Sequence, residues 1–348
     1  MTVLATRILP VDPVTPEAED IAEAAAIIRA GGLVAFPTET VYGLGANALN
    51  EEAVAGIFRA KGRPTSDPII VHLAERAQLS TVAVDVPPLA WELAETFWPG
   101  PLTLVLRRAE AVPGNVSAQR PTVAVRMPAH PVAIALIVAA DVPIAAPSAN
   151  TFSRPSATTA QHVWDDLHGR IALILDGGPT PLGVESTVLD MTGETPVILR
   201  PGGVPMDAIA TIAPEVTVQN QFLAMDATAA SPGQLIKHYS PRAEMLLYDG
   251  PGALEAMRRT VLERLEQNQH PGLLLMEGEA FLFHGLPAEI ESLGKSVEDA
   301  ATRLFAALRA LDGRCDVILA HGLPRAGLGA AVWDRMVRAA EGRIILAS

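Results

Sequence analysis

The chain has 348 residues, a formal net charge of −13, 49% hydrophobic residues and one cysteine. That length exceeds one ordinary domain and predicts two. The acidity excludes a protein that coats nucleic acid through bulk charge, and the single cysteine excludes a disulfide framework or a cysteine-rich metal site.

Strand-like and helix-like segments alternate from the start. Thr15-Pro16-Glu17 has the form of a helix cap, and Ile21, Ala24, Ala25 and Ile28 give the helix an apolar stripe that Gly31-Gly32 ends. Leu33 to Phe36 reads as a strand, and Asn50 is placed to cap a helix carrying Val54, Ile57 and Phe58. Pro68 to Leu73 is the next strand, followed by a helix through Leu89, Leu93 and Phe97. Strands are predicted at 102–107, 122–127, 142–146, 171–175, 186–190 and 196–200, with helices at 131–140 and 158–168. The pattern gives a mixed α/β domain over residues 1–213. From 214 to 242 the periodicity dissolves into a linker, long enough to serve as a lid. Residues 243–348 resume as strand–helix–strand units, a small parallel Rossmann-like sheet with Ser296-Val-Glu-Asp299 as a capping box. Cys315 is expected in that core. MTVLATRILPVDP has no secretory pattern, and residues 131–146, broken by Asp141 and Pro143, are too short to span a bilayer. A soluble, cytoplasmic protein is expected.

Polar clusters follow the strands, where α/β sheets gather ligands. They are Thr38-Glu39-Thr40 with Tyr42; Lys61, Arg63, Asp67 and His72; Thr122 and Arg126; Ser148, Asn150, Ser153 and Ser156; Glu185-Ser186-Thr187; and Arg200. Each is ordinary alone: KGRP as a solvated helix end, His72 as a strand histidine, Ser-Ala-Asn as a turn. Together, cations, hydroxyls and glycines suit a polyanion such as a nucleoside triphosphate. No GxxxxGK[ST], HExxH, GxSxG or GxGxxG is present.

PTETVYGLGANAL, KGRPTSDPIIVHL, APSAN, GVESTVLD and ILRPGG, in this order, resemble the threonylcarbamoyl-AMP synthase (YrdC) family. SPGQLIKHYSPRAE and GLGAAVWDRMVRAA resemble its long two-domain form. The resemblance implies a twisted mixed sheet around a positively lined cavity. It implies the conversion of L-threonine, bicarbonate and ATP to threonylcarbamoyl-AMP and pyrophosphate, and a downstream transferase system that modifies the tRNA adenosine beside the anticodon. By the same mapping Thr40, His72, Arg126, Ser186 and the backbone of Ala146 would bind threonine, with Thr38 and Tyr42 shaping the wall. Lys61, Arg63, Asp67, Thr122, Ser148, Asn150, Ser156, Arg200, His238 and Tyr239 would bind ATP, and Lys61, Arg63 and Arg126 would carry the chemistry. Mg²⁺ would be bridged by phosphates without a dedicated protein site. The competing reading is a non-catalytic double-stranded RNA or tRNA-binding module; a weak RNA contact is compatible with either.

Overall fold

The computed structural model describes residues 4–219 and 239–348. They form two compact units, one of residues 4–152 and 156–219, the other of 153–155 and 239–348.

The first unit carries strands β1 (Arg7–Pro10), β2 (Val34–Phe36), β3 (Gly43–Asn47), β4 (Ile70–His72), β5 (Ala83–Val84) and β6 (Leu102–Arg108). It continues with β7 (Thr122–Arg126), β8 (Ile144–Ala145), β9 (Leu173–Asp176), β10 (Thr187–Asp190), β11 (Val197–Arg200) and β12 (Thr217–Val218). They make one mixed sheet ordered β1-β9-β2-β3-β8-β4-β7-β6-β10-β11-β12, with β5 on β6. Helices α1 (Ala18–Arg29), α2 (Glu51–Lys61), α3 (Leu79–Val82), α4 (Pro88–Phe97), α5 (Pro131–Ala140), α6 (Ala160–Leu167) and α7 (Met206–Ala210) cover it. Asn50 caps α2 by accepting from Glu52 and Ala53 N–H. Thr15 does not cap α1: Asp12 Oδ1 takes the Val14 and Thr15 N–H groups in a turn, and the helix starts after Glu17.

The helices cover the sheet unequally. One face is buried throughout under α2, α4 and α6 through residues such as Val54, Leu93 and Val163. The other is buried under α1 and α5 only over β9, β2, β3 and β8, where Val34, Phe36, Ile144 and Ala146 lie. Beyond that, the same face of β4, β7, β6 and β10 holds a small apolar cluster of Ile70, Ala124, Val105 and Val188. Strand alternation puts His72 and Arg126 beside it.

GLGAN forms a central strand. Glycine weakens strand propensity, but here Phe36 crosses the strand. A Cβ at Gly45 would lie 2.7 Å from the Phe36 ring and 2.9 Å from Ile144.

The second unit is all parallel: β13 (Glu244–Asp249), β14 (Pro271–Leu275), β15 (Glu289–Ser292), β16 (Val317–His321) and β17 (Ile344–Leu346), ordered β15-β14-β16-β13-β17. Helices α8 (Ala253–Glu266), α9 (Val297–Asp312) and α10 (Gly329–Ala339) connect the strands. The Ser296 capping box forms, and Cys315 is buried. Among the described residues no helix is long and apolar enough to cross a membrane.

Candidate active site

The strand-end rule does not bring the predicted residues together. β4 and β7 run opposite to β2 and β8, because β3 pairs antiparallel with β2 and β8, and β8 antiparallel with β4. Residues after these strands therefore leave opposite edges. They meet on the half-covered face, reached by the chain after Phe36.

His72 and Arg126 are neighbours in register, each ending its strand, and both are buried. Arg126 Nη1 donates to Thr40 Oγ1 at 3.0 Å, and Thr40 Oγ1 lies 2.7 Å from Thr38 Oγ1, which donates to Val41 O. Arg126 Nη2 is 2.7 Å from Glu39 Oε2. The Thr38–Thr40 turn is fixed from behind, since Leu182 and Gly183 N–H donate to the Glu39 and Thr40 carbonyls. Tyr42 turns into the core of the other face, its hydroxyl donating to Gly178 O, so it forms no wall here. Burial, then the nearby Arg126 charge, pushes the His72 imidazole down to about 3, so it is neutral at physiological pH. Burial also lowers His130, against an opposing pull from Glu39; its Nδ1 accepts from Val132 N–H and caps α5.

Ser186 Oγ is 2.8 Å from Thr103 Oγ1 and accepts from Arg200 Nη2, which also donates to Ser186 O at 2.9 Å. The close turn after Arg200 requires Gly202, where a Cβ would sit 2.2 Å from the Ser186 carbonyl carbon. Ala146 uses its N–H on Ile70 O.

A second group lies at the end of α2. Gly62, at φ 65, ends the helix in the left-handed region, and Arg63 N–H returns to Phe58 O. Buried Lys61 donates to the Ser148 and Asn150 carbonyls, both at 2.5 Å. Arg63 is braced by its own loop: Nη2 donates to Pro68 O at 2.6 Å and lies 3.0 Å from Asp67 Oδ2. Ser156 donates to Glu185 Oε1 at 2.5 Å. Thr122 begins β7 and Arg126 ends it, roughly 13 Å apart along the strand. Tyr239 belongs to the second unit, buried against Phe305 with Arg335 over its ring. His238 and most of the expected linker, 220–238, lie outside the described residues. A cavity of about 990 Å³ lined by Gly32, Arg59, Gly62 and Arg170 contains none of the predicted site residues.

Glu39, Thr103, Glu185 and His130 were not selected from the sequence as ligand contacts. Glu39 and Glu185 stood within the polar clusters, Glu39 as the one charge inside the run VAFPTETVYGLGA, whereas Thr103 and His130 offered no signal.

Comparison with known proteins gives two family models. One, described as telomere recombination (Sua5, YciO and YrdC), matches residues 26–202. The other, described as threonylcarbamoyl-AMP synthase, C-terminal domain, matches residues 204–341. A threonylcarbamoyl-AMP synthase from Pyrococcus abyssi is 47% identical over 324 residues, 92% of this chain and 94% of its own. One from Bacillus subtilis is 42% identical over 338 residues, 96% of each chain. The crystal structure of P. abyssi Sua5 complexed with L-threonine has a TM-score of 0.93 at 44% identity, covering 98% of this chain and 100% of its own. Escherichia coli YciO matches 57% of this chain and 96% of its own with a TM-score of 0.51 at 27% identity.

Proposed function

The chain belongs to the Sua5/YrdC threonylcarbamoyl-AMP synthase family, in its two-domain form, and we propose from that premise how its residues perform the synthesis. The enzyme forms threonylcarbamoyl-AMP, an adenylyl transfer using L-threonine and ATP. Bicarbonate supplies the carbamoyl carbon in this reading, pyrophosphate leaves, and a cytoplasmic transferase system passes the threonylcarbamoyl group to tRNA. No comparison favours the non-catalytic RNA-binding alternative.

Arg126 receives the threonine carboxylate. The observation that supports this best is its Nε–Nη2 edge, buried and without a hydrogen-bond partner among the described residues. That edge is the fork that grips a carboxylate side-on. Thr40 lies against it, and neutral His72 adds an Nδ1 that is buried and likewise without a partner, suited to a hydroxyl. Ser186, held between Thr103 and Arg200, closes the threonine side.

Lys61, Arg63 and Arg200 face the triphosphate charge, with Asp67, Thr122, Ser148, Asn150 and Ser156 as polar contacts. Arg63, braced by Asp67 and Pro68, presents a fixed charge, so little reorganisation is needed. Among the described residues there is no group of three His, Cys, Asp or Glu side chains placed to hold a metal. Mg²⁺ is read as arriving on the ATP phosphates.

The threonine ammonium loses its proton, the amine attacks the bicarbonate carbon with release of water to give a carbamate, and the carbamate oxygen attacks the α-phosphorus as pyrophosphate leaves. This needs alignment and charge stabilisation, not a covalent protein nucleophile. Incubation with ATP, labelled bicarbonate and each amino acid in turn should give a labelled acyl-adenylate with threonine alone. A product with every amino acid, or with none, rejects the reading. Arg63→Ala should weaken ATP and Arg126→Ala threonine.

A further inference from the structure

Glu39 is a buried carboxylate that no part of the reading above employs. Its side chain is 13% exposed, and both carboxylate oxygens are buried with no hydrogen-bond partner among the described residues. The Arg126 guanidinium lies 2.7 Å away but is not aligned to donate to it. An ion pair serving only the fold is normally aligned, because an unsatisfied buried charge costs several kcal/mol. The protein does this elsewhere: Arg338 Nε donates to both Asp334 oxygens, at 3.1 and 3.0 Å. The two imidazoles near this pair, His72 and His130, are both shifted toward the neutral form by burial and add no second cation.

A guanidinium edge and a carboxylate side by side, each with unused hydrogen-bonding capacity, match a zwitterion. In an α-amino acid the carboxylate and ammonium hang from one carbon. If the carboxylate occupies the Nε–Nη2 edge of Arg126, the ammonium lies within reach of the oxygens beside Nη2. We propose that Glu39 binds the α-ammonium of threonine and makes the site selective for α-amino acids over α-hydroxy acids. The inference rests on the placement of the threonine carboxylate at Arg126 argued above.

The test is calorimetric titration of the full chain and of Glu39→Gln with two ligands. One is L-threonine; the other is 2,3-dihydroxybutanoate, the same skeleton with hydroxyl in place of the amine. Losing a hydrogen bond between charged groups should weaken threonine binding about 10- to 100-fold, while the hydroxy acid changes by less than about threefold because its carboxylate still meets Arg126. Equal weakening of both ligands would make Glu39 a support for Arg126 and overturn the proposal; so would equal retention. If the parent chain binds neither ligand, the threonine-site reading itself fails. Glu39→Asp, which keeps the charge one methylene back, replaces Glu39→Gln should the latter not fold. It should show the same selective loss, smaller in size.

Discussion

Both units bury arginines beside carboxylates, and they do so differently. In the second unit the carboxylates are satisfied. Asp334 accepts twice from Arg338 and once from Arg335. Asp312 holds Arg154 with one oxygen and the Arg242 and Ala243 N–H groups with the other. Even at the carboxyl ends of its parallel strands, where ligands gather in such sheets, His321 pairs with Glu279 and Arg325 with Asp249. In the first unit Arg126 and Glu39 touch without hydrogen-bond alignment, and His72 leaves Nδ1 unused. A buried charge with its hydrogen bonds complete stabilises the fold; one with bonds to spare is prepared for something else.

That contrast can be broken most directly at Arg126. Arg126→Ala should lower threonine-dependent pyrophosphate release by about 1000-fold, or about 4 kcal/mol. A rate within threefold of the parent would remove the distinction between the units. Asp312→Ala is the mirror experiment. It should destabilise the second unit by about 3 kcal/mol, read as earlier unfolding in calorimetry, since it strands Arg154 and two backbone N–H groups. A change below about 1 kcal/mol would show those bonds to be incidental.

His72 sharpens the comparison through pH. It titrates near 3 in the folded chain against an ordinary 6.5, so below pH 6.5 the unfolded chain binds a proton the folded chain refuses. Stability from this source is complete above pH 6.5 and falls toward pH 3, by about 1.4 kcal/mol per unit and so about 2 kcal/mol at pH 5. The difference between parent and His72→Gln should therefore slope only below pH 6.5, while the like-signed contribution of His130 cancels; a flat difference rejects the buried neutral imidazole. The smallest effect belongs to Ser296→Ala, which removes the cap accepting from Asp299 N–H. About 1 kcal/mol of second-unit stability should go, with threonine affinity unchanged by titration.

Much of the fold was legible because hydrophobic periodicity marks it. The helix at 131–140 matches its predicted bounds, and most other elements differ by a residue or two. β1, β3 and β15 were missed for physical reasons, as were the two-residue β5 and β12, the latter inside the expected 214–242 linker. RILP and EIES are short and largely exposed, and GLGAN carries two glycines whose value appears only under the Phe36 ring. The Thr15 cap did not form because Thr15 is held in the Asp12 turn and the helix starts only after Glu17. Thr40, His72, Arg126 and Ser186 were legible as motif positions; Glu39 stood in the same motif as Thr40, but its role, like that of Thr103, lies in what stands across from it.

The sequence by itself determined the residue types available to the chemistry and the two α/β patterns, because both depend on local spacing and on motif order. Tertiary structure alone decided that strands running in opposite directions would deliver those residues to one half-covered face. It also decided that Tyr42 would turn away into the core and that Glu39 would lie beside Arg126. Which buried charges end with complete hydrogen bonds is a property of partners distant in the chain, and no local pattern encodes it.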